Sequence, residues 1–198
     1  MLALVLAVLP GTAHASQVGP SPHPTWQTVD GVRLYGPVTP TANGKTKYLI
    51  CLRHDPSQCL AINPVLNDLI AGGIDGVISI GAGIIIWLIT RNHEGDETAQ
   101  DDGIYKGKHE KPSEFGECLG ANTSGARAFL SRPSRCFGNI QTSFIPVLDG
   151  GTATYQLWMR GTPGDILACL NTRNGAYVYH KPASQTGLWV HWAFYEVA

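Results

Sequence analysis

The sequence predicts an all-β chain built from three related units. Three observations carry this. Gly and Pro together supply 36 of the 198 residues, too many for a helix bundle or a coiled coil. Short runs of alternating apolar and polar residues are separated by clusters of Gly, Pro, Asn and Ser, which is the pattern of strands and turns. Finally, one set of landmarks recurs three times in the same order: a Cys-Leu step, an alternating run, and a Trp among apolar neighbours.

The first element is an address. Met1 to Val8 is an apolar run, Pro10-Gly11 ends it, and Ala13-His14-Ala15 offers the small-x-small pattern of a signal-peptidase site. The run is too short to span a bilayer. No Lys or Arg precedes it, and a buried N-terminal helix is the competing reading, although Pro10-Gly11 would stop such a helix early. We expect residues 1–15 to be removed and the chain from Ser16 to be secreted into an oxidising extracellular space.

Residues 16–44 form a Pro-rich lead-in, read as extended or flexible, with one strand near Gly31–Tyr35. That strand is expected to pair with the C-terminal run Phe194–Val197. The three units are placed at about 45–115, 116–164 and 165–198. Their Cys-Leu steps are Cys59-Leu60, Cys118-Leu119 and Cys169-Leu170, separated by 59 and 51 residues. The alternating runs are Gly76–Ile80, Ala126–Ser131 and Gly175–His180. The Trp landmarks are Ile86-Trp87-Leu88, Leu157-Trp158-Met159 and Val190-His191-Trp192.

Cysteine usage agrees with export. The five are Cys51, Cys59, Cys118, Cys136 and Cys169, with no Cys-x-x-Cys pair to suggest zinc or redox work. Local pairing, Cys51 with Cys59 and Cys118 with Cys136, is preferred over the other patterns that the count allows. Cys169 is then either a buried thiol in a strand or a bridge to another chain.

Two segments resist the pattern. Leu69 to Thr90 holds 22 residues and a single charge, Asp75, which is long enough for a membrane span. Five Gly and many β-branched residues favour two buried strands instead, split at Gly81-Ala82-Gly83; a membrane-inserting hairpin and a buried helix are the alternatives. Asn92 to Glu114 is polar, with acidic residues at 94, 96, 97, 101 and 102, and reads as a solvated loop. It lacks the Gly and the closing Glu of a calcium loop, so no metal or other cofactor is expected.

Catalytic patterns are missing. No two His stand at helical zinc spacing, and neither a nucleophile elbow nor a phosphate loop occurs. A net charge of -1 gives no phosphate-neutralising face, so nucleic acid is not expected as a partner. With 43% apolar residues the chain is no disordered polymer.

The repeated Cys-Leu steps, together with Gln156-Leu157-Trp158, resemble the ricin B-chain-like β-trefoil family. Its units carry a Cys-Leu near one strand and a Gln-x-Trp near another. The match is full at Gln156-Leu157-Trp158, partial at Val190-His191-Trp192, and weakest at Ile85-Ile86-Trp87. The resemblance covers about Lys45 to Ala198 and implies twelve short strands, six of them closing a barrel. Trp87, Trp158, Trp192 and Gln156 would then be structural, the indoles filling the core beneath each lobe.

The resemblance also implies sugar binding through an Asp after Cys-Leu, an aromatic ring and an amide. Here the Asp position holds Ala61, Gly120 and Asn171. Only the third unit keeps a polar group, with Tyr177, Tyr179, His180 and Trp189 near it in sequence. Asn171 can bond a hydroxyl without charge assistance, so binding would be weak. The expected function is a non-catalytic module recognising carbohydrate through that unit. The alternative is a trefoil that has lost sugar binding and docks another secreted protein as an adaptor, a toxin-assembly subunit or an enzyme inhibitor.

Overall fold

A computed structural model describes residues 24–29, 31–63, 68–73, 85–91, 105–113, 116–120, 127–131, 144–149, 153–160, 164–172, 175–185 and 189–198. Every regular element among them is a strand: β1 (Thr25–Val29), β2 (Val32–Val38), β3 (Asn43–Leu52), β4 (Asp55–Asn63), β5 (Asp68–Gly73), β6 (Trp87–Arg91), β7 (Tyr105–Ser113), β8 (Gly116–Gly120), β9 (Phe129–Ser131), β10 (Phe144–Leu148), β11 (Tyr155–Met159), β12 (Asp165–Thr172), β13 (Gly175–Pro182) and β14 (Trp192–Val197).

Six of these close a ring. β3 pairs β6, β6 pairs β7, β7 pairs β10, β10 pairs β11, β11 pairs β14, and β14 returns to β3, all antiparallel. Closure leaves no free edge within the ring. The remaining core strands pair as β4–β5, β8–β9 and β12–β13. These pairs meet one another: Ala71 stands opposite Ala176, Asp68 opposite Phe129, and Arg127 opposite Tyr179. The strands thus fall into three units, β3–β6, β7–β10 and β11–β14, each with two ring strands enclosing one outer pair. The divisions expected near 116 and 165 fall one strand inside units two and three.

The repeat is visible in single residues. Cys59, Cys118 and Cys169 each lie in the second strand of a unit, and all three are buried. Each unit's fourth strand opens on an aromatic residue: Trp87, Phe144 and Trp192, all fully buried. Each of these is registered against a Tyr of that unit's first strand, giving Tyr48↔Trp87, Tyr105↔Phe144 and Tyr155↔Trp192. Directly opposed aromatic residues are favourable cross-strand partners.

Trp158 corrects the expectation of three core indoles. It is half-buried on β11, where Tyr155, Leu157 and Met159 take the core-facing positions of the alternation. Phe144 fills the place in the threefold set. The sequence motif marked the neighbouring strand: Trp158 lies on β11, the first strand of unit three, and period-2 alternation turns it away from the core that Phe144 enters from β10. Gln156 alternates with the core positions in the same way and is half-buried.

The main core contains Tyr48, Ile50, Leu52, Trp87, Phe144, Leu157, Trp192 and Phe194. A second cluster holds Leu34, Leu49, Cys51, Cys59, Ala193 and Tyr195. The two clusters take alternate residues of β3 and β14, so both faces of these strands are covered. The cover on the second face is the N-terminal hairpin. Among the described residues of the lead-in, β1 pairs β2 in full register, with Gly31 at φ 81°, where a side chain would strain the backbone. β2 then pairs β14, with Tyr35 opposite Glu196 and Leu34 opposite Val197, as expected for the C-terminal run.

Cys51 and Cys59 are register partners across β3–β4 and are joined by a disulfide with an S–S distance of 2.00 Å. Cys118 is also disulfide-bonded, and its expected partner Cys136 lies outside the described residues. Cys169 is a free, fully buried thiol, which fits the first of its two readings. Of the apolar segment, β5 and β6 are strands at its two ends and Ile85 is buried, while 74–84 lie outside the described residues. The solvated loop expected over Asn92–Glu114 is corrected in part, since 105–113 form the ring strand β7; 92–104 and 114, the signal segment and the Gly76–Ile80 run lie outside the described residues. Among the described residues no helix is long and apolar enough to cross a membrane.

Candidate functional site

The position after each Cys-Leu step can now be compared across units. Ala61 on β4 is buried, at 2% exposure. Gly120 ends β8 against the ring of Phe129, where an added Cβ would lie 2.9 Å from Cζ. Any larger side chain at Gly120 would have to displace that ring. Both positions are therefore closed to a ligand-binding carboxylate by packing as well as by residue type. Asn171 near the end of β12 stands opposite Ala176, and Tyr177 stands opposite Leu170. The side chains of Asn171, Tyr177 and His180 lie outside the described residues.

Tyr179 is half-buried on β13. Lys181 Nζ lies 5.4 Å from its ring centroid and the Arg127 guanidinium 6.0 Å, so the ring sits among cations. Trp189 is not on this side of β12. Its backbone bonds to Cys169 in both directions, Cys169 N–H to Trp189 carbonyl at 2.8 Å and the reverse at 3.0 Å. Cys169 pairs Val178 on its other flank. The five residues expected to form one cluster are thus divided by β12, with Tyr177, Tyr179 and His180 on the β13 side and Trp189 across the strand.

Trp189 belongs to a different group, which the sequence reading did not assemble. Its ring lies 4.4 Å from that of His54, inclined at 61°. His54 sits in the β3–β4 turn beside Arg53, whose backbone N–H donates to the His191 carbonyl at 2.9 Å. His191 Nε2 is 2.9 Å from Asp149 Oδ2. Gln156 Nε2 donates to the same oxygen at 2.8 Å. Arg53 Nε donates to Thr154 Oγ1 at 3.0 Å, and the Asp149 N–H donates to the Thr154 carbonyl at 2.8 Å, which tightens the β10–β11 turn. The group joins residues from all three units at the junction of β3, β11 and β14.

Its electrostatics follow from these contacts. Partial burial holds the His54 imidazole below its ordinary value, the Asp55 carboxylate pulls it back up, and His191 pushes it down again. Neutral His54 is the favoured form near neutral pH. Gln156 was the signal that could have led here: as part of Gln-x-Trp it was read as structural, and its amide instead orients a carboxylate. Among the described residues, no group of three or more His, Cys, Asp or Glu is placed to hold a metal ion.

No protein-family model matches the sequence, and no curated protein matches it. Solved structures do. The designed threefold-symmetric protein ThreeFoil superposes with a TM-score of 0.52 at 20% identity, over 75% of this chain and 96% of that one. The fold is a β-trefoil. A Polyporus squamosus lectin, solved bound to a human-type influenza-binding epitope, matches with a TM-score of 0.54 at 17% identity, over 78% of this chain and 50% of its own. This trefoil thus spans about half of that lectin's length. A chain of the cytolethal distending toxin from Actinobacillus actinomycetemcomitans matches with a TM-score of 0.51 at 11% identity, over 80% of this chain and 94% of that chain. At these identities the likeness is one of fold.

Proposed function

We propose that this chain is an exported, non-catalytic carbohydrate-binding module that uses the β12–β13 face of its third unit. The observation that carries this reading is the contrast between units. The ligand-accepting position is filled by packing at Ala61 and Gly120, whereas Asn171 stands at the end of a strand beside the Tyr177–Tyr179 segment. A lectin and a toxin chain among the fold's neighbours support a binding role. Asn171 supplies a neutral hydrogen-bonding group, so affinity is low. Export rests on the Ala13-His14-Ala15 pattern and accords with the Cys51–Cys59 disulfide.

The test is a glycan array read with the chain from Ser16, followed by calorimetric titration of its hits. Substituting Asn171→Ala and Tyr179→Ala should each weaken binding at least several-fold. An array blank at high protein concentration overturns the reading. A second reading, docking of another protein, is favoured by one feature: β1 ends the sheet and carries Trp26 at 50% exposure beside Tyr35 and Arg33. In that case deleting residues 16–29 abolishes capture of the partner and leaves any glycan binding intact.

A further inference from the structure

The group around Asp149 has features that a purely structural staple does not need. Both of its partners, Gln156 and His191, engage Oδ2. Oδ1 has no partner among the described residues, and the Asp149 side chain is 40% exposed. A carboxylate held through one oxygen by two side chains and 40% exposed is a preorganised acceptor. It makes charge-assisted bonds to hydroxyl donors, which are about twice as strong as neutral ones. Beside it lies an aromatic pair, with the exposed His54 ring against Trp189.

We infer that the Asp149–His191–Gln156 group, with His54 and Trp189, is a second carbohydrate site that takes a neutral saccharide bearing two adjacent hydroxyls. The carboxylate accepts the hydroxyls while the rings cover the apolar C–H face of the sugar. The same chemistry selects against acidic glycans, because a carboxylate or sulfate on the ligand would face Asp149. The cationic surroundings of Tyr179 carry the opposite preference. This site draws on the β3–β4 turn, the β10–β11 turn and the segment before β14, so it is separate from the third-unit face. It rests on the reading of the chain as a carbohydrate-binding module.

The experiment uses the chain from Ser16 and four probes: methyl galactoside, methyl mannoside, methyl glucoside and lactose. Binding is followed by Trp fluorescence and by the ring resonances of His54 and His191. The expected result is that at least one probe shifts both histidines, and that Asp149→Asn and His54→Ala each weaken it at least tenfold. His54→Ala changes an exposed ring and keeps the test valid if Asp149→Asn loosens the turn. Binding of a probe with both histidines unmoved and both variants unaffected, but lost in Tyr179→Ala, overturns the second site and leaves the module reading intact. An array that retains only acidic glycans has the same meaning. A blank array together with no response to any probe overturns both.

Discussion

Trp192 donates its indole N–H to the Leu167 carbonyl at 2.8 Å, which ties the first residue of β14 to β12 across twenty-five positions of sequence. The threefold-related Trp87 is equally buried, yet its Nε1 has no hydrogen-bond partner among the described residues. The two indoles should therefore respond differently to the same substitution. Trp192→Phe leaves a buried carbonyl unpaired as well as a cavity, and should cost about 2–4 kcal/mol. Trp87→Phe removes an unsatisfied donor along with volume and should cost about 1–2 kcal/mol. Urea unfolding of both variants decides this, and equal losses would contradict it.

Gly107 on β7 is packed under Trp87. A Cβ there would stand 3.1 Å from Trp87 Cε3 and 3.5 Å from Phe144 Cε1. Neither ring has room to retreat in a fully buried core. Gly107→Ala should destabilise by about 1–3 kcal/mol through overpacking, read as a fall in the urea midpoint with an unchanged slope.

The Cys51–Cys59 bridge closes a loop with a sequence separation of 8, and both cysteines are fully buried. Replacing both by Ala should cost about 2–3 kcal/mol in the chain-entropy account. The oxidised protein should resist mild reductant under native conditions, since neither sulfur is reached from solvent. Thermal unfolding with and without reductant measures both effects.

Cys169 should be silent. Burial pushes its thiol up to about 12, so the nucleophilic thiolate is scarce at neutral pH and the sulfur is enclosed. A thiol reagent at pH 8 should label it only after denaturant is added. Labelling of the native protein within minutes would show that β12 opens locally.

His54 should titrate below 6.5, since burial lowers it. Asp55→Asn removes the anion that raises it and should lower it further, while His191→Gln removes the neighbour that lowers it and should raise it. The folded state thus binds a proton at His54 less readily than the unfolded chain does. Its contribution to stability is present above pH 6.5 and is lost as the pH falls through the lowered value. Proton NMR of the imidazole resonances from pH 4.5 to 8 reads each shift directly.

The threefold plan was legible because its carriers are local. Cys-Leu steps persist whatever the loops between them do, and all three fall on equivalent strands, β4, β8 and β12, one strand later in their units than the expected divisions put two of them. Facing was not legible to the same degree. Trp158 and Phe144 are both large and apolar, and it is the phase of the alternation along β11 and β10 that turns Phe144 into the core and Trp158 away from it. The Asp149 group was invisible for another reason: His54, Asp149, Gln156 and His191 belong to three units, and no linear pattern links a turn residue at 54 to one at 149. The division of Trp189 from Tyr179 likewise depends on which flank of β12 each strand takes. Residues joined by long-range pairing are placed by topology, which short motifs do not encode.

β14 is hydrogen-bonded to β2, β3 and β11. It follows every one of those partners in chain order, so the ring has a gap until residues near 197 have been synthesised. During synthesis the earlier strands must wait with β3 open on the side that β14 will take. A chaperone that shields that strand, or a delay in releasing the final segment, would therefore govern how much native protein accumulates.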